Sequence, residues 1–303
     1  MPSLPSAREI IRIRITSILS RDDFHFQPAH TIADLRNLCK VHMAKYLNNL
    51  VKSLNVSVSE SIVRRFSVYD KQHFSIEQMV TICVTHNTQD WMALIWLNHG
   101  KDLGHSSTGP WKVLQWSSRT PKNLAVLPTI QYRSRIALKR EPNHASPDHP
   151  AAEQNPLSLP HNAACLASDY GRSLRPEIME CDAFYALDEL FRFAIASDSQ
   201  FLEMMKHKIK APTITGGGGR IEDLDAALDL IEDHHQYISE NLETVRAGGH
   251  PNWPKAPEKL RKRASAARER LEGDYKYLLN DAERLAQKCM EGITIMMNDA
   301  MLR

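Results

Sequence analysis

The residues best suited to chemistry lie on one acidic helical segment. Asp225, Asp229 and Asp233 are spaced by four residues, which puts three carboxylates one turn apart on a single helix face. Hard cations such as Mg²⁺ take oxygen ligands and often keep several waters, so this row of carboxylates could attract them electrostatically. The simpler interpretation is a solvated face beside a hydrophobic seam, which amphipathic surface helices commonly show.

Histidines supply the other candidate metal ligands. His234 and His235 are adjacent, so their side chains point to different helix faces, and two ligands cannot complete a zinc site. His235 falls on an apolar seam, which predicts a buried, hydrogen-bonded histidine or a polar residue that sets helix register. His99 and His105, with Asp102 between them, are a weaker candidate. The metal ligands are therefore unknown from the sequence.

No arrangement of residues predicts catalysis. The glycines of 216–219 lack the Lys-Ser/Thr pair of a phosphate-binding loop, and no strand clearly precedes them. Gly-x-Ser-x-Gly, His-Glu-x-x-His and Cys-His patterns are also absent. The five cysteines form no C-x-x-C pair, which favours reduced thiols. We therefore expect a protein that is not an enzyme and has no cofactor.

Net charge and apolar content limit the classes of partner that the sequence predicts. The 38 basic and 36 acidic residues leave a net charge of +2, which gives no reason to expect nucleic-acid binding. A membrane span needs roughly 20 apolar residues, whereas the longest uninterrupted apolar run covers only residues 92–97. We therefore expect no membrane span in this chain, and a soluble cytosolic protein as the sequence stands.

The order of elements predicts an α+β fold. Thr31 and Asp34 have the spacing of a capping box, and helical periodicity follows over 32–54. Short β-prone runs come next, at 67–69, 91–97, 112–116, 123–127 and 130–138. We therefore expect an α/β domain over 1–140, a Pro-rich flexible insert over 141–176, and a long-helix hairpin with a stalk helix over 177–303.

Three long helices are predicted at 177–210, 220–247 and 258–303. A heptad-like apolar seam runs through the second, and an apolar stripe of average spacing 3.6 runs through the third. The third would reach roughly 69 Å at 1.5 Å per residue. Because such a helix projects beyond a small domain, we expect part of its stripe to be uncovered and to act as a self-association interface, formed by Leu271, Leu278, Leu285, Ile293 and Met296.

The last helix also carries a family resemblance. The segment 271–285, its continuation to Cys289 and Gly292, and its close at 297–302 resemble the pre-membrane stalk helix of fungal CorA-like metal-ion transporters. In that family a long antiparallel hairpin precedes the stalk, and a cytoplasmic α/β domain precedes the hairpin.

The resemblance implies the cytoplasmic domain of a divalent-cation (Mg²⁺) transporter, on the cytoplasmic side of a membrane, with stalk helices assembled as a pentamer. Mg²⁺ or another divalent cation is implied by the family only. The family's Gly-Met-Asn triplet does not occur here, so we expect a chain truncated before the transmembrane helices and lacking the pore. The alternative is a soluble helical protein-interaction module with no transport role, docking through the seam at 221–245.

Overall fold

A computed structural model of the chain describes most of the predicted elements. The described residues are 10–21, 31–52, 61–86, 91–100, 103, 109–116, 124–129, 166, 170–215 and 221–302. Contacts divide the chain into two compact units. The helical unit comprises 1–13, 82–94 and 174–303, and the sheet unit comprises 14–81 and 95–173. The predicted domain limits at 140 and 176 stay predictions, because most of 141–176 lies outside the described residues.

The described strands form a five-stranded antiparallel sheet, as expected for the α+β class. The strands are β1 (Ile10–Arg21), β2 (Arg65–Val68), β3 (His73–His86), β4 (Trp91–Leu97) and β5 (Leu124–Val126). Their hydrogen-bonded order is β2-β3-β1-β5, with β4 pairing to β3. Leu19 pairs with Val126 in the β1–β5 register, and Phe66 pairs with Ile76 in the β2–β3 register.

Helix α1 (Ile32–Lys52) covers the core of the sheet unit. The predicted capping box is confirmed: the Thr31 backbone N–H donates to Asp34 Oδ2 at 2.9 Å, and the Asp34 N–H donates to Thr31 Oγ1 at 3.1 Å. Four residues of α1 at helical spacing face the core and are buried, namely Leu35, Cys39, Met43 and Tyr46. The periodicity that predicted the helix is therefore the face that the sheet unit buries.

Residues 112–116 are helical, so the strand predicted there is wrong. Helix α2 (Pro110–Trp116) begins with proline, a residue whose fixed φ suits the first helical position. Trp111 and Leu114 are three residues apart and both buried, which shows the helical period in place of strand alternation. The strands predicted at 67–69, 91–97 and 123–127 match β2, β4 and β5, whereas the one at 130–138 lies outside the described residues.

The described part of the helical unit has two short helices and three long ones: α3 (Pro176–Met179), α4 (Ala183–Ala186), α5 (Asp188–Thr215), α6 (Ile221–Ala247) and α7 (Glu258–Met301). The first predicted helix, 177–210, is thus interrupted before α5. Asp182 caps α4 by accepting the Tyr185 backbone N–H at 2.8 Å. The predicted helices at 220–247 and 258–303 are confirmed within two residues at each end.

A glycine pair turns the chain between α6 and α7. Gly248 and Gly249 have φ of +64° and +82°, a region that favours glycine because a Cβ would clash with the backbone. A Cβ at Gly249 would also lie 2.3 Å from the Trp253 ring. The turn therefore brings α7 back along α6, and α7 packs against both α6 and α5.

Gly273 offers a direct test of the α7 backbone. It lies inside this helix, is exposed, and no heavy atom lies within 4 Å of a Cβ built on it. Because glycine loses more conformational freedom in a helix than alanine does, Gly273→Ala should raise the free energy of unfolding by about 0.5–1 kcal/mol. Urea unfolding followed by circular dichroism measures the change. Gly249→Ala is the contrasting variant and should destabilise, since its φ is positive.

Candidate functional site

The apolar stripe of α7 is the feature from which a self-association interface was predicted. Leu271, Leu278 and Leu285 are only 1–2% exposed within the single chain. The expectation that they are partly uncovered is wrong, because α6 and α5 pack along α7 and bury this face. These three leucines belong to the core of the helical unit. Ile293 and Met296 are half-buried, so an interface role for these two stays a prediction.

The C-terminal end of α7 has a different surface. Cys289 and Gly292 are the last buried residues of the helix among those described. Beyond them, Ile295 is 60% exposed and Met301 is 78% exposed. Apolar side chains grouped at one helix end are typical of a surface that contacts another molecule. Sequence periodicity missed these residues, because they lie off the stripe that fills the core.

The acidic face of α6 is open to solvent. Asp225 and Asp229 are exposed and Asp233 is half-buried, in agreement with the solvated-face interpretation. In the described part of the chain, no group of three or more His, Cys, Asp or Glu side chains could hold a metal ion. Of the weaker histidine candidate, His99 is half-buried, whereas Asp102 and His105 lie outside the described residues, as do the glycines of 216–219.

The two adjacent histidines of α6 differ in burial. His234 is the buried one, at 2% exposure, and its ring stacks on Phe201 with 3.6 Å between ring centroids. Its Nδ1 lies 2.9 Å from the Leu230 carbonyl oxygen. His235, predicted to be either a buried histidine or a polar residue that sets helix register, is half-buried, and its Nε2 lies 3.3 Å from Glu283 on α7. One position along a helix rotates a side chain by about 100°, so a seam that shifts slightly reverses the assignment.

A buried ion pair supports the packing of α5. Asp188 is 5% exposed and its Oδ2 lies 2.6 Å from Arg192 Nη2. Burial raises the pKa of the Asp188 carboxyl, and the positive charges of Arg192 and Arg270 oppose that rise. Its position inside one helix, paired with the next turn, indicates a structural role.

Burial raises the pKa values of two titratable groups of α7, so that both stay protonated at neutral pH. Burial raises the pKa of the Cys289 thiol to about 11, and a protonated thiol is a poor nucleophile. Burial also raises the pKa of Tyr275 well above its ordinary value. The Tyr275 hydroxyl donates to the Phe191 carbonyl oxygen at 3.4 Å. Tyr275 therefore ties α7 to α5, and neither side chain is activated as a nucleophile.

Comparison with known proteins adds no relative. No protein-family model, curated protein or solved structure matches this chain. Among the described helices, none combines the length and apolar character that a membrane-spanning helix requires.

Proposed function

We propose that this chain is the cytoplasmic part of a CorA-like divalent-cation transporter, with Mg²⁺ as the expected cargo. The observation that carries the proposal is α7, which runs without a break over 44 residues from Glu258 to Met301. At 1.5 Å per residue it is about 66 Å long. Its sequence over 271–302 resembles the family's stalk helix, and it follows a helical hairpin and a sheet-containing region in the family's order.

The surface of α7 supports the same proposal. Its first three-quarters pack inside the chain, whereas Ile295, Met297 and Met301 near its end are exposed. Stalk helices that assemble around a common axis need apolar side chains that their own chain does not cover. Self-association, as a pentamer in the family, would then use the end of α7 and leave its buried leucines in place.

The alternative is a helical protein-interaction module with no transport role. The same exposed side chains favour it, because they would equally suit an apolar partner protein. The seam of α6 does not favour it: Leu224, Ile231, Ile238, Leu242 and Val245 are all buried. A partner would therefore dock on the end of α7, away from the seam that the sequence suggested.

The coding sequence downstream of Arg303 separates the two proposals. The transporter predicts two apolar segments with Gly-Met-Asn at the end of the first, and the complete product should restore growth of a Mg²⁺-uptake-deficient strain at low Mg²⁺. Replacing the Asn of that triplet by alanine is the matched control and should abolish the rescue. A stop codon directly after Arg303, with a stable oligomer of the chain in sedimentation, would overturn the transporter proposal and favour the interaction module.

A further inference from the structure

A cavity of about 160 Å³ lies beside the turn that joins α6 to α7. Its apolar lining comes from Phe184 and Ala256, and Ala264 on α7 leaves room where a longer side chain would fill the space. A single water needs roughly 10–15 Å³ of such volume. The cavity therefore accommodates a group several times larger than a water molecule.

Three cationic side chains line this cavity: Lys255, Arg261 and Arg268. Arg261 pairs with the exposed Glu258 at 2.5 Å. Among the described residues, neither Lys255 nor Arg268 has an ion-pair partner. Arg268 is half-buried, and a guanidinium that is partly desolvated without an anion is unfavourable. The two cations are therefore free to bind an anion in the cavity.

The segment around the cavity is basic, whereas negatively charged groups are the ones that stabilise the start of a helix. Residues 255–270 contain seven Lys or Arg and two Glu, and α7 begins within this segment at Glu258. The N-terminal end of a helix carries partial positive charge, so cations in its first turn are destabilising and anions are favoured there. Of the cations that line the cavity, Arg261 lies in this first turn, so a bound anion would relieve its repulsion and would interact with Lys255 and Arg268 directly.

Asp182 is the acidic residue among the described ones that line the cavity, and its carboxylate accepts two backbone hydrogen bonds. Asp182 accepts the Tyr185 N–H at 2.8 Å through Oδ1 and the Ala256 N–H at 3.1 Å through Oδ2. These bonds tie the loop before α7 to the start of α4, as does the bond from the Ala183 N–H to the Pro254 carbonyl oxygen at 3.1 Å. The carboxylate therefore fixes the cavity wall while the cations stay available.

Gly248, in the turn between α6 and α7, also lines the cavity. A Cβ at Gly248 would lie 2.8 Å from Arg268 Nη1, so the absence of a side chain lets the guanidinium approach the turn. Arg261, Ser265 and Arg268 recur at spacings of four and three, which places them on one face of α7. The Ser265 hydroxyl thus shares this face with two guanidinium groups, and guanidinium groups bind phosphoryl oxygens with two parallel hydrogen bonds.

We infer that this cavity is a binding site for a phosphoryl group, held by Lys255, Arg261 and Arg268 with Ser265 as a neutral donor. The inference is independent of the transport proposal. The phosphoryl group belongs either to a small phosphorylated compound in solution or to a phosphomonoester lipid headgroup. Both present the same oxygens to the same cations, so the experiment distinguishes the two sources.

The test measures binding of inorganic pyrophosphate to the full chain by titration calorimetry at low salt, with phosphate and sulfate alongside. Arg268→Gln and Lys255→Gln should each weaken pyrophosphate binding about tenfold, because each removes a charge-assisted hydrogen bond. Arg263→Gln is the matched control: it removes the same charge from an exposed position of α7 outside the cavity, and it should change binding less than threefold, as expected for a screened surface charge. Circular dichroism confirms that each variant is folded.

A vesicle arm identifies the source of the phosphoryl group. Phosphatidylcholine vesicles containing phosphatidic acid are compared by co-sedimentation with vesicles containing phosphatidylserine at equal charge. Preference for phosphatidic acid that Arg268→Gln abolishes assigns a lipid headgroup, and pyrophosphate binding without vesicle binding assigns a soluble compound. Equal losses in Arg268→Gln and Arg263→Gln would show a non-specific basic surface and overturn the inference. Absence of binding to both pyrophosphate and phosphatidic acid would overturn it as well.

Discussion

Replacing Leu278 by aspartate is expected to unfold the helical unit. Leu278 is 2% exposed on the face of α7 that packs against α6 and α5. The change removes about 1.5–3 kcal/mol of apolar burial and puts an unpaired carboxylate in its place, which costs several kcal/mol more. The total is comparable with the 5–15 kcal/mol that stabilises a typical domain. The variant should therefore lose most of its helical signal or its cooperative urea transition.

Tyr277→Asp is the matched control for this variant. Tyr277 is the preceding residue of the same helix and is 63% exposed, so the same charge enters the same helix on its solvent side. Such surface changes usually fall within about 0.5 kcal/mol. Urea unfolding of both variants, followed by circular dichroism at the helical band, makes the comparison. A Leu278→Asp protein that unfolds at the same urea concentration as Tyr277→Asp would show that α6 and α5 do not cover this face.

The burial of Leu278 and its neighbours on the stripe shows why the leucines were wrongly expected to be uncovered. A stripe at helical spacing reports that a face is buried, and it carries no information on whether the covering surface comes from the same chain or from another copy. Here the cover is α6, which carries its own seam and is folded back along α7 by the Gly248–Gly249 turn. The side chains that stay exposed lie off the stripe, so no periodicity could have selected them.

The sequence predicted the long helices but missed strands β1 and β3. Helices α1, α6 and α7 are long enough for several repeats of the 3.6-residue period, and each was predicted within two residues at its ends. Strand β1 was not predicted, although Ile11, Ile13 and Ile15 alternate with two arginines and are all buried. That alternation was readable as a strand.

The cavity proposed to bind a phosphoryl group could not be predicted from the sequence. The basic character of 255–270 is visible in the sequence, but a sequence alone does not distinguish an anion site from a set of ion pairs across the hairpin. Among the described residues, one ion pair across the hairpin joins Arg246 to Glu272 at 3.2 Å, whereas Lys255 and Arg268 line the cavity. Asp182 comes from a segment more than 70 residues away. Only folding brings that wall and those cations together.

Replacing Trp111 by alanine is expected to cause the largest loss of stability in the sheet unit. Trp111 is fully buried in its core. Its ring meets Tyr46 edge-on, with 5.0 Å between centroids and 77° between planes, and Phe66 lies 6.5 Å away. Truncating a buried tryptophan to alanine removes this contact and leaves a cavity, which typically costs about 3–5 kcal/mol.

The loss of stability should extend through Tyr46 to the residues that precede β2. The Tyr46 hydroxyl donates to the Ser61 carbonyl oxygen at 3.2 Å and accepts the Val63 backbone N–H at 3.1 Å. Without the Trp111 ring, Tyr46 loses the edge-on contact that helps to hold it against this segment. Hydrogen exchange read by mass spectrometry should therefore show faster exchange in peptides from α1 and from 61–68 in Trp111→Ala.

Trp96→Ala supplies the matched control in the same unit, because Trp96 is 62% exposed on β4. It removes the same side chain without opening a core cavity, and its exchange rates in α1 should equal those of the unmodified protein. The urea midpoint should fall clearly for Trp111→Ala and change little for Trp96→Ala, since the midpoint follows the free energy of unfolding at constant slope. Equal shifts in the two variants would mean that Trp111 does not anchor this core.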